Sequence, residues 1–175
     1  MQGTEMLKKI TVRGLVLFVL SLALIGVLGI VARNSLASDD TLPPAIAQQV
    51  THPVFMPGDD TTATVERPSI KFQADADLLS YTATLMSGAK IFVNQQPTPE
   101  SFIDIPQAYD KLLGSLQPYA NFESLNGKVT LTKPKELQGK QSAVMNTKGT
   151  LMFIRSDTEI SQDDWRKLFN NLKII

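Results

Sequence analysis

The groups in this chain whose chemistry can be tested against spacing are one imidazole, two carboxylate pairs and a small lysine cluster. The sequence holds a single histidine, His52, and no cysteine. Nucleophilic catalysis would need His52 beside a serine and a carboxylate, and no G-x-S-x-G elbow supplies that serine. Pro53 biases the preceding residue toward an extended backbone, so His52 reads as a solvated linker residue. One histidine without cysteine gives no transition-metal set. Asp59-Asp60 and Asp75-x-Asp77, with Glu66 near, offer hard oxygens to calcium. Their spacing makes no EF-hand loop, and they read as solvated turn acids. A carboxylate pair for glycoside hydrolysis would have to come from the same scattered acids. Lys133, Lys135 and Lys140 surround Pro134 in a weakly basic loop, which would meet anionic lipid or wall polymer only through screened attraction. Tyr81, Phe92 and Trp165 read as core aromatics rather than as a ligand box. No catalytic, cofactor-binding or metal-binding residue is assigned, no cofactor is expected, and the chain reads as non-enzymatic. The alternative is an unrecognised hydrolase using Ser, Asp and Lys.

Where any such chemistry would take place is set by residues 14–32, which contain no charge. As a helix they would span about 28 Å, close to the hydrocarbon thickness of a bilayer. Leu, Val and Ile dominate, with Phe18 among them, and Ser21, Gly26 and Gly29 are residues that membrane helices tolerate. The leading side carries Lys8, Lys9 and Arg13 against Glu5; the trailing side carries Arg33, then Asp39 and Asp40. Positive residues stay inside, so residues 1–13 are expected as a cytoplasmic tail and residues 33–175 outside. The glycines make no clean G-x-x-x-G face for helix dimerisation. The alternative is a signal peptide cut after Ala37, because Ser35 and Ala37 place small residues before Ser38. The long apolar run and Arg33 favour the uncleaved anchor. Either way the larger part of the chain is exported.

Residues 34–175 carry thirteen basic and sixteen acidic side chains, too acidic a balance for nucleic acid as a partner. The missing cysteine removes disulfides, thiol chemistry and lipid attachment through a cysteine. The exported part must hold itself by its core, as in many bacterial envelope domains. Residues 33–52 read as an extracytoplasmic linker, stiffened at Pro43-Pro44 and carrying a short helix within residues 45–50.

Residues 53–175 predict the folded domain. Residues 53–57 form a short apolar strand. Residues 69–74, 79–85 and 90–95 alternate apolar and polar, with turns at Asp75-Ala76-Asp77 and Ser87-Gly88, an antiparallel meander. Pro97 and Pro99 break the sheet. Ala108, Tyr109, Leu112, Leu113 and Leu116 recur at helical spacing, predicting a helix over 106–117 that Pro118 stops. Residues 122–125 and 128–132 pair through Asn126-Gly127, which favours a type I′ turn. Residues 141–146 and 150–155 make another hairpin. A last helix starts at the cap Ser161, with Asp163 and Asp164 at its positive end. Trp165, Leu168, Phe169 and Leu172 lie on its apolar stripe. The fold class expected is α+β: an N-terminal transmembrane helix, then a small domain with a mainly antiparallel sheet packed by two helices.

Three stretches carry a resemblance: the opening Pro53-Val54-Phe55-Met56-Pro57, the hairpin over 79–95 ending in Lys90-Ile91-Phe92-Val93-Asn94-Gln95-Gln96, and the ending Gly149-Thr150-Leu151-Met152-Phe153-Ile154 followed by residues 161–172. In these the chain resembles uncharacterised single-pass bacterial envelope proteins with a small α+β ectodomain, of the kind also found in anti-sigma-factor-like membrane proteins. Gly58-Asp59-Asp60-Thr61 departs from the Gly-aromatic continuation common there. The resemblance implies the fold and carries over no site residue. The expected role is a membrane-anchored module that binds an envelope protein or ligand. Its partners would be the bilayer, through residues 14–32, and that unknown component. The alternative is a domain for lipid or hydrophobic peptide, secreted after cleavage.

Overall fold

The computed structural model describes residues 42–58, 62–105, 107–133 and 140–175. The expected cytoplasmic tail (1–13), the transmembrane helix (14–32), and the linker up to Thr41 lie outside the described residues, as do Asp59, Asp60 and Lys135. No helix among the described residues is long and apolar enough to cross a membrane.

Strands β1 (Phe55–Pro57), β2 (Ala63–Val65), β3 (Lys71–Gln73), β4 (Leu78–Leu85) and β5 (Lys90–Pro97) come first. Helices α2 (Glu100–Asp104) and α3 (Ala108–Ser115) follow, after a short α1 (Pro44–Ala47) at the start of the described chain. Then come β6 (Pro118–Ser124), β7 (Gly127–Thr132), β8 (Ser142–Thr147), β9 (Thr150–Ser156), α4 (Gln162–Asn170) and β10 (Leu172–Ile174). The main sheet runs β2-β4-β5-β9-β8-β7-β6, with β3 also on β4, and β1 pairs separately with β10. Every pairing among the described residues is antiparallel. The fold is α+β with an antiparallel sheet and few helices, as the alternating pattern predicts.

The chain order explains the layers. After β5 the chain crosses to the far edge at β6, then returns strand by strand until β9 pairs with β5. Crossing four strand spacings takes about 19 Å, and α2 and α3 lie on that crossing. Beneath them the sheet buries a minor apolar set, Leu112 of α3 with Val144 and Leu151 of the strands, outside the main core. Burial first, and the Asp110 charge second, push the Tyr109 phenol of α3 up to about 12. The main core occupies the other face. Leu79, Tyr81 and Ala83 of β4, Ile91 and Val93 of β5, Met152 and Ile154 of β9 and Met145 of β8 point there by strand alternation. α4 covers them with Trp165, Leu168 and Phe169, all fully buried. Phe169 meets Phe122 of β6 edge-on, with ring centroids 6.0 Å apart. Ser161 caps α4 by accepting from Asp164 N–H at 3.1 Å, as its sequence predicts.

Several boundaries differ, each for a local reason. Residues 67–69 are a 3-10 turn rather than the start of a strand, because Ser69 Oγ donates to Glu66 C=O and accepts from Thr82 N–H at 2.8 Å. β5 continues through Pro97, the last residue paired with β9, where its missing N–H ends the ladder. The helix expected over 106–117 is confined to α3, since Gln117 turns left-handed (φ 55°) and Pro118 opens β6. The type I′ turn is at Lys148-Gly149, both with positive φ, and not at Asn126-Gly127, where Gly127 alone is positive and lies on β7. Leu172 is buried from β10 rather than from the helix.

Candidate functional site

The chain does not enter the domain as free linker. Leu42 belongs to the main core, and Ile46 and Val50 pack against it. Thr51 donates to the Asp77 carboxylate, Thr150 Oγ1 donates to Pro53 C=O at 2.6 Å, and Ile175 N–H donates to Val54 C=O at 3.0 Å. Strand β1 then uses both its edges. One pairs with β10; the other presents Phe55 N–H and C=O to the core, where no strand follows. The Gln95 carboxamide takes the place of a strand there. Its Oε1 accepts from Phe55 N–H at 2.7 Å and its Nε2 donates to Phe55 C=O at 2.7 Å, while the Tyr81 hydroxyl donates to the same carbonyl at 3.0 Å. Buried backbone groups demand partners, so this arrangement fixes the segment from His52 to Pro57 on the core.

Between that segment and the chain's last residue lies an open cleft of about 330 Å³, lined by Leu42, Ala47, Val50, His52, Val54 and Ile175. The lining residues are aliphatic apart from His52. Contrary to the solvated reading, the His52 side chain is only 2% exposed, with Nδ1 3.5 Å from Asp77 Oδ1. That separation is long for a hydrogen bond, and both ring nitrogens and Asp77 Oδ1 are buried without a hydrogen-bond partner. Burial, outweighing the Asp77 carboxylate, holds the His52 pKa below its usual 6.5. The ring is therefore neutral at pH 7. Asp77 itself sits at φ 45° in the turn before β4, a conformation Asp tolerates, and this turn aims its carboxylate back at Thr51 and His52.

The remaining candidates are dispersed. Glu66 pairs with Lys90 at 2.8 Å rather than with Asp75 or Asp77. Among the described residues no three His, Cys, Asp or Glu side chains gather as a metal site would need. In the basic loop, Lys133 pairs with Glu159 at 3.0 Å and Lys140 with Asp157 at 3.4 Å, so acids between β9 and α4 offset both charges. Tyr81 and Trp165 are core residues, but Phe92 is on the opposite face of the sheet under the Arg155 guanidinium, 5.0 Å from its ring centroid. A second hollow, about 110 Å³, lies among Thr62, Leu85, Met86, Ser87, Asp164 and Lys167 and is too small for more than a few waters.

Sequence reasoning missed Gln95, which sits at a core position in β5's alternation, and misplaced His52. A glutamine two residues after Val93 in β5's alternation, opposite Leu79 of β4, was the available signal, since a core-facing amide needs a partner that the strand itself does not supply. Compared with known proteins, the chain matches no family model, no curated sequence and no solved structure.

Proposed function

We propose that this chain is a single-pass, extracytoplasmic binding module without catalytic activity, of the kind found among bacterial envelope proteins with small α+β ectodomains. Residues 14–32 would hold it in the bilayer with residues 1–13 inside. The observation that carries the reading is the uncharged run 14–32, led by Lys8, Lys9 and Arg13 and followed by a cysteine-free domain that holds itself by its core. The test is the intact mass in separated membrane and culture-supernatant fractions, with protease added to intact spheroplasts. Full-length mass in the membrane and loss of the C-terminal domain to protease are expected. A species beginning at Ser38 in the supernatant, or a protected C-terminal domain, would overturn the anchored topology.

A second reading, binding of a hydrophobic ligand, is favoured by the cleft beside His52. Its volume lies at the lower end of the roughly 300–1,000 Å³ of small-molecule sites, and five of its six lining residues are aliphatic. Lipid that copurifies with the protein and raises its melting temperature when added back would support this reading. Added lipid that leaves the melting temperature unchanged would sink it.

A further inference from the structure

The main sheet has two edges, and they end differently. At one edge the outward backbone of β4 is already taken. Thr82 N–H donates to Ser69 Oγ at 2.8 Å, and Thr82 C=O accepts from Glu66 N–H at 2.9 Å. Beyond them β2 and β3 have three residues each and are split by the 3-10 turn at 67–69, so this edge is too broken to receive another strand. At the other edge β6 runs for seven residues. Pro118, Tyr119, Asn121 and Glu123 are exposed there, and among the described residues no strand pairs with its outer side.

Register decides which backbone groups of β6 face outward. Thr147 and Thr150 flank the type I′ turn and exchange hydrogen bonds, so by alternation Ser142 and Val144 turn their backbone groups toward β7. Their partners Thr132 and Thr130 face β8, which leaves Val129 and Leu131 facing β6. Val129 pairs with Phe122, so Asn121 and Glu123 hold their N–H and C=O groups away from the sheet. The same alternation carried the other way, through β9 and β5, turns Thr82 outward from β4, where its hydrogen bonds to Ser69 and Glu66 lie.

We propose that β6 is a self-association edge: it pairs antiparallel with β6 of a second copy, with Asn121 opposite Glu123 of that copy and Phe122 at the two-fold axis. Among symmetric registers, this one gives every outward N–H and C=O of Asn121 and Glu123 a partner. It also sets each Asn121 amide beside a Glu123 carboxylate, to which the amide donates. Placing Glu123 opposite Glu123 would oppose like charges, and would set Asn121 against Leu125, whose N–H is already given to Asn170 Oδ1 at 2.9 Å. Placing Asn121 opposite Asn121 would set Glu123 against the bulge at Tyr119. The pairing uses the same edge of both copies, and the far edge is broken, so association stops at a dimer.

The chain has no cysteine, so one introduced thiol reports alone. Full chains carrying Asn121→Cys and full chains carrying Glu123→Cys are mixed in non-ionic detergent and oxidised. In this register the unlike thiols stand on directly opposed residues, with Cα atoms about 5.5 Å apart, within disulfide reach. Like thiols are offset by two residues and stand about 9 Å apart, beyond it. The mixed disulfide should exceed either like pair by about tenfold or more. Association through residues 14–32 alone would give mixed and like pairs in statistical proportion. That result, or no mixed disulfide, would overturn the proposal. By sedimentation, Asn121→Glu should raise the dimer dissociation constant about tenfold by opposing carboxylates at both ends of the pairing, and adding Glu123→Lys should restore it. Both positions are exposed, and Trp165 fluorescence checks that the core is intact. A wild-type chain that stays monomeric, or a dissociation constant unchanged by Asn121→Glu, would also overturn it.

Discussion

Replacing Gln95 with Met keeps the side chain's length and bulk but deletes both amide groups that hold β1. Phe55 N–H then loses its acceptor at 2.7 Å in a site without solvent, because Phe55 and Gln95 are both fully buried. A buried donor left alone costs about 1–3 kcal/mol. Phe55 C=O loses the Gln95 donor but keeps the Tyr81 hydroxyl at 3.0 Å, a smaller loss of about 0.5–1 kcal/mol. Gln95→Met should therefore cost about 1.5–4 kcal/mol. Tyr81→Phe removes only the second donor and should cost about 0.5–1.5 kcal/mol. In the double variant the carbonyl has neither donor, so its destabilisation should exceed the sum of the singles by about 1 kcal/mol. The assay is denaturant unfolding of the full chain in non-ionic detergent, followed by the fluorescence of Trp165. That residue is the only tryptophan and is fully buried, so its emission reports loss of the core. A Gln95→Met cost under about 0.5 kcal/mol, or strict additivity in the double variant, would refute the view that one carboxamide stands in for a strand.

Acidification should destabilise the fold through His52. Its folded pKa is lowered, so as pH falls through 6.5 the unfolded chain takes up a proton that the folded chain refuses, and stability falls by up to about 1.4 kcal/mol per pH unit until the folded pKa is reached. As the chain has one histidine, His52→Gln should flatten the melting temperature between pH 7.5 and 5.5; a wild-type melting temperature that rises on acidification would mean that Asp77 outweighs burial. Asn126→Asp should cost more than Asn126→Ala at pH 7. The native amide donates to Phe169 C=O at 3.2 Å and to Leu172 C=O at 2.8 Å at the negative end of α4, where a carboxylate is repelled; equal unfolding midpoints would contradict this. Gly149→Ala should cost about 1 kcal/mol in chemical denaturation, because Gly149 holds φ 82° in the type I′ turn, although open space surrounds it. An unchanged midpoint would place the strain elsewhere.

Most of the sheet was legible because alternation is a direct record of a half-buried strand. The turns at Asp75-Ala76-Asp77 and Ser87-Gly88, and the α4 cap at Ser161, follow from residue type alone. What escaped the sequence depends on partners far along the chain. β10 exists because residues 172–174 meet residues 55–57, and three apolar-rich residues after a helix carry no signal of that. α2, at residues 100–104, has too few residues to show a period. Asn-Gly at 126–127 promised a type I′ turn, but Asn126 is recruited to cap α4 instead, which ties its conformation to the helix end.

The candidate site was hidden for a related reason. A histidine before a proline in a polar, proline-containing stretch looks solvated, and composition alone keeps it so. Three carboxamides reverse that inference in the folded chain. Gln95 fixes Phe55, Gln141 accepts from Ile160 N–H at 2.7 Å and from Trp165 Nε1 at 3.3 Å, and Asn126 holds the end of α4. Each satisfies a segment that leaves the main sheet, and together they bring the first and last described strands onto one core. Once β1 is fixed in this way, residues 42–54 must run across the domain, His52 is carried under cover, and the chain's last residue arrives at Val54. The cleft is what remains between a segment pinned at Thr51, Pro53 and Phe55 and one pinned at Ile175. Its position therefore depends on Gln95, although Gln95 is not in its wall. Loosening β1 through Gln95→Met should consequently raise amide hydrogen exchange across residues 50–57 before the protein unfolds, and exchange there that rises only with global unfolding would contradict this.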